Sequence, residues 1–314
     1  MRPLARITDL PMSAADSPPF LGLDAGGTAT RWALCTPDGA PIREGQGPGI
    51  SGLMVLSAEG RAQLSAALQQ MAADCGPVQG LCAGLTGFDG DGAGPMAEAF
   101  GQAFALAPSR ALLYNDIELA CRAAFAPGEG HLVYAGTGSV AAHIDPAGEL
   151  HRAGGRGGLI DDGGSGYWIA VRALRSVWRA EDEQPGAWRR SVLAQQVFEH
   201  IGGSDWGVTR NWVNASARGQ IGELAVAVAA AAEQDDAARQ ILRDAGLELA
   251  RLGQALVRRC GALPLRLAGR VFQLHPLVED SLREALAGQV VQSPSELQAH
   301  RVAARLAAAA RSAA

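Results

Sequence analysis

The stretch LGLDAGGTATRWALCTPDG, residues 21–39, places two apolar, β-rich segments on either side of a tight Asp-Ala-Gly-Gly-Thr turn. A Pro-Asp-Gly turn follows at 37–39, and PIREG (41–45) is typical of a third short strand. Glycines at the end of a strand let a ligand approach the backbone closely, because no side chain stands in the way. The stretch therefore predicts a β-meander with a ligand-binding turn at its first corner.

The same order of strand, Gly/Thr turn, strand, turn and strand recurs in HLVYAGTGSVAAHIDPAGELHRAGGRGG, residues 131–158. Thr28 and Thr137 hold equivalent places in the two copies, about 109 residues apart. An internal duplication predicts two similar α/β lobes, each of which contributes one Gly-Thr turn to a shared cleft. A chance resemblance between two β-meanders is the alternative.

Strands and helices alternate between the two copies. GLCAGLTG and ALLYND are typical of buried strands, whereas residues 54–74, MAEAFGQAFAL and IELACRAAFA have helical periodicity. This alternation predicts a mainly parallel sheet with helices on both faces. After residue 166 the pattern is mostly helical, including one long segment at 221–260, and it is interrupted by a strand in LPLRLAGRVF (263–272).

Length and composition indicate the class of protein. A chain of 314 residues favours two domains, predicted as a first lobe at 20–117 and a second at 118–294, after a flexible arm at 1–19. The Ala/Arg-rich segment 295–312 is predicted to form a terminal helix that joins the first lobe. A net charge of -5 without a long basic run argues against nucleic acid as a partner.

The cysteines and the hydropathy pattern indicate the compartment. Five cysteines, an odd number without metal-binding spacing, predict reduced thiols in a cytoplasmic protein. No apolar run reaches the length of a membrane span, so no membrane partner is expected. The sequence leaves the oligomeric state open, with a homodimer as one option.

The two Gly/Thr turns have the composition of anion-binding sites, because backbone N–H groups converge there and threonine adds a hydroxyl donor. Together they could hold a polyphosphate, and Asp24, at the end of the first strand, suits a Mg²⁺ ion that neutralises the phosphates. The absence of a GxxxxGK[ST] loop, and a strand rather than a helix after AGGT, exclude Walker-type and dinucleotide-binding alternatives. The predicted phosphate-binding residues are Gly26, Gly27, Thr28, Gly136, Thr137 and Gly138.

Asp116 in LLYNDIELA is the candidate catalytic residue. It follows an apolar strand and opens a helix, which places it at the carboxyl edge of the predicted sheet, where α/β folds bind ligands. A carboxylate there could accept the proton of an attacking hydroxyl. Helix capping is the structural alternative for an aspartate at this position.

A glycine-rich loop at 154–170, GGRGGLIDDGGSGYWIA, carries two adjacent acids and leads into a helix. Asp161 and Asp162 could hydrogen-bond sugar hydroxyls, or they could cap that helix. The residues alone leave these two possibilities open.

Five segments together resemble the sugar kinase/actin/Hsp70 ATPase superfamily. LGLDAGGTATRWAL resembles its first phosphate motif, YNDIELACRAA its connecting motif, VYAGTGSVAAHI its second phosphate motif and LRLAGRVF its adenosine motif. GGRGGLIDDGGSGYWIA is similar to GGWGxxxGDEGSxYWIA of the BadF/BadG/BcrA/BcrD-type branch, which includes N-acetylglucosamine and glucosamine kinases. The resemblance covers residues from about 20 to 286.

The resemblance implies a two-lobed, actin-like (ribonuclease H-like) fold with duplicated mixed sheets, which binds MgATP and a sugar. It implies Asp116 as the general base beside the sugar and Gly269 against the adenosine. Four residues would contact the sugar, namely Ser139, Gly154, Gly155 and Asp162.

The chain also departs from the branch pattern. Arg156 stands in place of its tryptophan, Gly163 in place of its glutamate, and Arg270 in place of the second adenosine-motif glycine. The usual asparagine near the end of the first meander is absent from GQGPGISGLM. These departures leave the identity of the acceptor open. A different amino sugar, a hexose or another hydroxylated acceptor are the alternatives.

Two other functions compete with a sugar kinase. An activator ATPase of acyl-CoA dehydratases belongs to the same branch, but it needs cysteines placed to ligate an iron–sulfur cluster. A non-catalytic sugar sensor on the same scaffold is the second alternative, which the missing glutamate and asparagine suggest.

Overall fold

The computed structural model describes residues 17–311, so the predicted arm at 1–19 lies almost entirely outside the described residues. The chain divides into two compact units. Of the described residues, the first unit contains 17–123 and 298–311, and the second is Ala124–Leu297. The division lies within the helix that begins at Asp116, six residues beyond the boundary expected at 117. No helix within 17–311 combines the length and apolar character that crossing a membrane requires.

A five-stranded mixed sheet forms the centre of the first unit. Its strands are β1 (Phe20–Ala25), β2 (Ala29–Cys35), β3 (Pro41–Pro48), β4 (Gly80–Leu85) and β5 (Ala111–Asn115). The first three form the predicted antiparallel meander, and β4 and β5 add to β1 in parallel, which gives the order β3-β2-β1-β4-β5. Because β1, β4 and β5 run in the same direction, their carboxyl ends share one edge of the sheet.

Helices cover both faces of this sheet, as the sequence predicted. They are α1 (Ala58–Cys75), α2 (Ala93–Phe104), α3 (Asp116–Ala124) and α11 (Ala299–Arg311). Alternate residues of β1 enter different cores, since side chains in a strand point to opposite faces. Leu21 and Leu23 pack into one core with residues of α1 and α2, whereas Phe20 packs into another with alanines of α11.

The second unit repeats this sheet. Its strands are β6 (His131–Ala135), β7 (Ser139–Ile144), β8 (Leu150–Gly154), β9 (Leu265–Ala268) and β10 (Val291–Gln292). The first three again form an antiparallel meander, and β9 and β10 add in parallel, in the order β10-β9-β6-β7-β8. The shared topology confirms the internal duplication that the two Gly/Thr turns predicted.

Seven helices of the second unit lie within the described residues. They are α4 (Gly166–Glu183), α5 (Val192–Ile201), α6 (Trp206–Ala215), α7 (Arg218–Gly222), α8 (Leu224–Ala231), α9 (Asp236–Cys260) and α10 (Pro276–Ala285). The core of this unit joins Val133 and Ala135 of β6 to buried side chains of α4, α8 and α9.

The structure corrects the extent of three predicted elements. The helix expected at 54–74 begins only at Ala58, because Ser57 is extended and its side chain accepts a hydrogen bond from the Gly60 N–H. A separate 3₁₀-helix, Gly52–Leu56, precedes it. The segment expected as one helix at 221–260 is interrupted where Asp235 caps α9 by accepting hydrogen bonds from the next turn. The strand expected at 263–272 ends at Ala268, because Gly269 adopts a φ of +102°.

Candidate functional site

The first Gly/Thr turn connects β1 to β2 and is open on its outer side. The Gly26 N–H donates to the Ala29 carbonyl over 3.1 Å, and the Ile50 N–H donates to the Gly26 carbonyl over 3.1 Å. Gly27 and Thr28 are exposed. A Cβ atom on Gly27 would meet no other atom within 4 Å. Hydrogen bonds at Gly26 therefore fix the turn, while the backbone at Gly27 and Thr28 stays accessible, as a phosphate-binding turn requires.

Asp24 lies half-buried at the end of β1, two residues before this turn. The strand register places it opposite Arg31 on β2 and beside Gly84 on β4. Among residues 17–311, no group of three His, Cys, Asp or Glu side chains could hold a metal ion. A single carboxylate fits Mg²⁺, because this ion commonly binds one or two carboxylates and completes its shell with phosphate oxygens and water.

Asp116 stands at the same edge of the same sheet. The register aligns Ala25 of β1 with Leu85 of β4, and Leu85 with Asn115 of β5. The residues that follow these strand ends, the first Gly/Thr turn and Asp116, therefore lie along one edge, as the sequence predicted for Asp116. Asp116 is half-buried and is the first residue of α3.

Capping of α3 is shared between two side chains. The Ile117 N–H lies 2.8 Å from Asp116 Oδ1 and 3.0 Å from Asn115 Oδ1. The Asn115 amide also donates to the Phe88 carbonyl over 2.8 Å. Because Asn115 supplies a cap of its own, the helix start does not depend on Asp116 alone. Its role as general base stays a prediction.

The second Gly/Thr turn connects β6 to β7 and is braced by the start of α4. The Gly166 N–H donates to the Gly136 carbonyl over 2.9 Å, and the Tyr167 N–H donates to the Thr137 carbonyl over 3.4 Å. Gly136 itself donates to the Gly138 carbonyl over 2.9 Å. The second unit thus fixes its turn with a helix, whereas the first unit fixes its turn with a loop.

A cavity of about 280 Å³ opens beside the second turn. Gly136 and Thr137 form one wall, Gly222 and Glu223 another, and the 3₁₀-helix Arg270–Gln273 a third. Gly269 precedes that 3₁₀-helix, and a Cβ atom there would lie 2.2 Å from the Ala135 carbonyl oxygen. Glycine at 269 therefore lets the third wall lie against β6. The cavity approaches the size of a small-ligand pocket, which is compatible with the predicted adenosine site.

The predicted sugar contacts of the second unit have partners inside that unit. Ser139 is buried and donates to the Gly163 carbonyl over 2.7 Å. Gly154 and Gly155 have φ values of +74° and +67°, and the Gly155 N–H donates to the Ser139 carbonyl over 2.9 Å. Asp162 is only 4% exposed and forms an ion pair with Arg218. Sugar binding by these residues stays a prediction.

Sequence reasoning missed three charged residues beside these loops. Arg218, at the start of α7, lies against Gly138 of the second turn. Glu248 of α9 lies against Gly163, where a Cβ atom would stand 2.7 Å from its Oε2. Arg251 bonds both Glu248, over 2.9 Å, and Asp161, over 2.8 Å. No local pattern marks these residues, because only the tertiary fold brings α7 and α9 to the loops.

Comparisons with known proteins agree with this architecture. A model of the BadF/BadG/BcrA/BcrD ATPase family matches residues 21–303. An N-acetylmuramic acid/N-acetylglucosamine kinase from Clostridium acetobutylicum is 25% identical over 192 residues. This match covers 58% of the chain and 59% of the length of that relative.

Two solved structures extend the comparison to the fold. A protein from Chromobacterium violaceum assigned as an N-acetylglucosamine kinase superposes with a TM-score of 0.73 and 27% identity. That superposition covers 92% of this chain and 99% of the other. A ROK family glucokinase from Streptomyces griseus, in complex with glucose and AMPPNP, gives a TM-score of 0.58 at 16% identity over 94% and 99% of the two chains. At that identity the second match concerns the fold alone.

Proposed function

The chain belongs to the BadF/BadG/BcrA/BcrD ATPase family, and on that premise we propose that it is an ATP-dependent kinase of a sugar hydroxyl. The observation that carries the proposal is the shared edge of the first sheet. There, an exposed Gly/Thr turn and the Asp116 carboxylate follow aligned residues of parallel strands. Phosphate-binding backbone and a candidate base are the two components that phosphoryl transfer to a hydroxyl needs.

In the proposed reaction, Asp116 accepts the proton of the sugar hydroxyl as its oxygen forms a bond to the γ-phosphorus of ATP. The bond between that phosphorus and the β,γ-bridging oxygen breaks, and ADP leaves. The N–H groups of the two Gly/Thr turns bind phosphate oxygens and stabilise their negative charge. Asp24 would hold Mg²⁺, which neutralises phosphate charge when it is bound.

We propose an amino sugar, N-acetylglucosamine or glucosamine, as the acceptor. The names of the Clostridium relative and of the Chromobacterium structure support this class. A coupled assay with glucosamine, N-acetylglucosamine, N-acetylmuramic acid, N-acetylmannosamine and glucose identifies the acceptor among them. The departures at Arg156 and Gly163 make glucose and the other acceptors necessary members of the panel.

The variant Asp116→Asn tests the general base. We expect it to lose phosphoryl transfer by a factor of about 10² or more, because an amide cannot accept the proton. Its affinity for ATP is expected to remain near that of the wild type. Glu118→Gln is the matched control, because Glu118 lies on the same helix and pairs with Arg122 at 2.8 Å. Full activity of Asp116→Asn, or no transfer to any sugar by the wild type, contradicts the proposal.

The activator-type ATPase is not favoured by the cysteines that the structure describes. A cluster ligand must be a thiolate. Burial raises the pKa of Cys75 to about 11 and that of Cys82 to about 12. Cys75 and Cys82 lie in two different hydrophobic cores of the first unit, so they do not form a pair of cluster ligands, and we do not propose electron transfer as the function.

A further inference from the structure

A cationic side chain lies directly on the second Gly/Thr turn. The Nη2 atom of Arg218 is 3.5 Å from the Thr137 carbonyl oxygen. A Cβ atom on Gly138 would stand 2.9 Å from the same nitrogen, so this approach depends on glycine at 138. The guanidinium carbon lies 5.4 Å from the centre of the Tyr167 ring, which supports one face of the group. Arg218 is thus held at the turn that we propose to bind phosphate.

The counter-ion of Arg218 is the Asp162 carboxylate. Both oxygens of Asp162 would lie within 3.4 Å of a Cβ atom on Gly138, so this carboxylate also borders the turn. The Asp162 side chain is 3% exposed, whereas that of Arg218 is 42% exposed. The pair therefore has a buried negative end and an accessible positive end at the turn.

A buried carboxylate needs a counter-charge, so the pair could serve stability alone. The geometry of the Arg218 donors favours a second role, which is to bind an anion. Arginine has five N–H donors, and its contacts with Thr137 and Asp162 both use Nη2. Within 17–311, no hydrogen bond or ion pair of the described residues engages Nη1. The accessible part of the guanidinium thus retains donors for an anion, and arginine binds phosphate oxygens in pairs.

We propose that Arg218 is a further nucleotide-binding residue that contacts the phosphate chain of ATP at the second turn. Asp162 holds Arg218 beside the turn in the nucleotide-free protein and competes with phosphate for it. This inference rests on the proposed function only in taking ATP as the nucleotide. It gives Asp162 a different role from the sugar contact that the family resemblance implies.

Binding of MgATP and of adenosine to the full chain, measured by calorimetry without sugar, tests the proposal. Arg218→Gln is expected to lower the affinity for MgATP by about tenfold or more, as loss of a charge-assisted hydrogen bond predicts. The affinity for adenosine, which has no phosphate, should stay within about twofold of the wild-type value. Arg179→Gln is the control for the change in net charge, because Arg179 is an exposed residue of α4 in the same unit.

A variant of Asp162 is expected to change the affinity for MgATP in the opposite direction. Asp162→Asn should raise the affinity for MgATP, because it removes the anion that competes for Arg218. A purely structural pair predicts the reverse, with both single variants lowering the affinities for MgATP and adenosine together. Arg218→Lys keeps a positive charge for Asp162, and it should retain the wild-type melting temperature while losing part of the preference for MgATP over adenosine.

The outcomes separate this inference from the proposed function. If the wild type binds MgATP and Arg218→Gln binds it equally well, the role of Arg218 is refuted and the kinase proposal stands. If the wild type binds MgATP more tightly than Arg218→Gln does but phosphorylates no sugar, the kinase proposal fails and the role of Arg218 stands. A wild-type protein that does not bind MgATP overturns both.

Discussion

Gly22 lies in the middle of β1, where a Cβ atom would stand 2.1 Å from the backbone nitrogen of Ala304 and 2.1 Å from the carbonyl oxygen of His300. Both atoms belong to the backbone of α11, so they cannot move aside without displacing the helix. Gly27, in the turn after the same strand, has no atom within 4 Å of that position. Two glycines five residues apart therefore serve different purposes, one in packing and the other in access to the backbone.

We expect Gly22→Ala to destabilise the first unit by roughly 3 kcal/mol or more, as overpacking against backbone does at the upper end of its range. Gly27→Ala is expected to change the free energy of unfolding by no more than about 0.5 kcal/mol. It should weaken MgATP binding instead, because the methyl group would project into the open space where we propose that phosphate binds. Urea denaturation and nucleotide titration of both variants check this. Equal stability of the two variants contradicts the packing role of Gly22.

The sequence predicted which glycines end strands, because their spacing relative to apolar residues is local. It could not predict why Gly22 is glycine, because the reason is a helix near the other end of the chain. The ion pair of Asp162 with Arg218 escaped prediction for the same reason. Pairing of residues distant in sequence leaves no periodic signal.

At the scale of elements, α11 covers one face of the first sheet with small side chains. Ala303, Ala304 and Ala307 are all buried and pack in a core with Phe20 and Ala33. The helix is also held to β3 by an ion pair between Arg301 and Glu44. The alanines let the helix axis approach β1 closely, which agrees with the lack of space for a Cβ atom at Gly22.

Enlarging one of these alanines should therefore separate the helix from the sheet. Ala303 is 0% exposed, and we expect Ala303→Leu to lower the free energy of unfolding by about 1–3 kcal/mol. Ala309→Leu is the matched control on the exposed face of the same helix, with an effect within about 0.5 kcal/mol. Thermal or chemical unfolding compares the two variants. An unchanged stability of Ala303→Leu argues against close packing of α11 on the sheet.

The sequence predicted that most helices and strands exist, but it did not predict where several of them begin or end. Periodicity predicted α1 but not its start, which the side chain of Ser57 fixes. The ending of β9 at Ala268 depends on the positive φ of Gly269, which the apolar pattern of LPLRLAGRVF conceals. A capping bond depends on one side chain and a positive φ on one residue, so a pattern over ten residues does not detect them.

At the scale of the whole molecule, the duplicated meanders predicted two units. They did not predict that the two Gly/Thr turns would have different surroundings. The first turn is braced by Ile50 and the second by the start of α4. The second meander also contains three histidines on neighbouring strands. The His131 and His143 rings lie 4.8 Å apart, and the His143 and His151 rings 6.0 Å apart. The innermost, His131, is 0% exposed, and its Nε2 lies 2.9 Å from the Gly261 carbonyl oxygen.

Burial lowers the pKa of His131 below its ordinary value of 6.5, with a smaller contribution from His143 in the same direction. The unfolded chain therefore takes up a proton near pH 6.5 that the folded protein does not yet bind. As the pH falls below 6.5 the free energy of unfolding should decrease, by at most about 1.4 kcal/mol per pH unit for one proton, until the folded pKa is reached. Asp145 and Asp235 do not contribute in this range, because hydrogen bonds hold their pKa values below the ordinary 3.8.

The variant His131→Gln removes this proton uptake and retains a side chain that can donate to the Gly261 carbonyl. Its free energy of unfolding should vary less than that of the wild type between pH 7 and about pH 5.5, as the loss of one titrating group requires. His200→Gln, at an exposed position of α5, controls for the removal of a histidine. Urea denaturation at several pH values measures both slopes. A wild-type slope in His131→Gln would show that another group sets the response to acid.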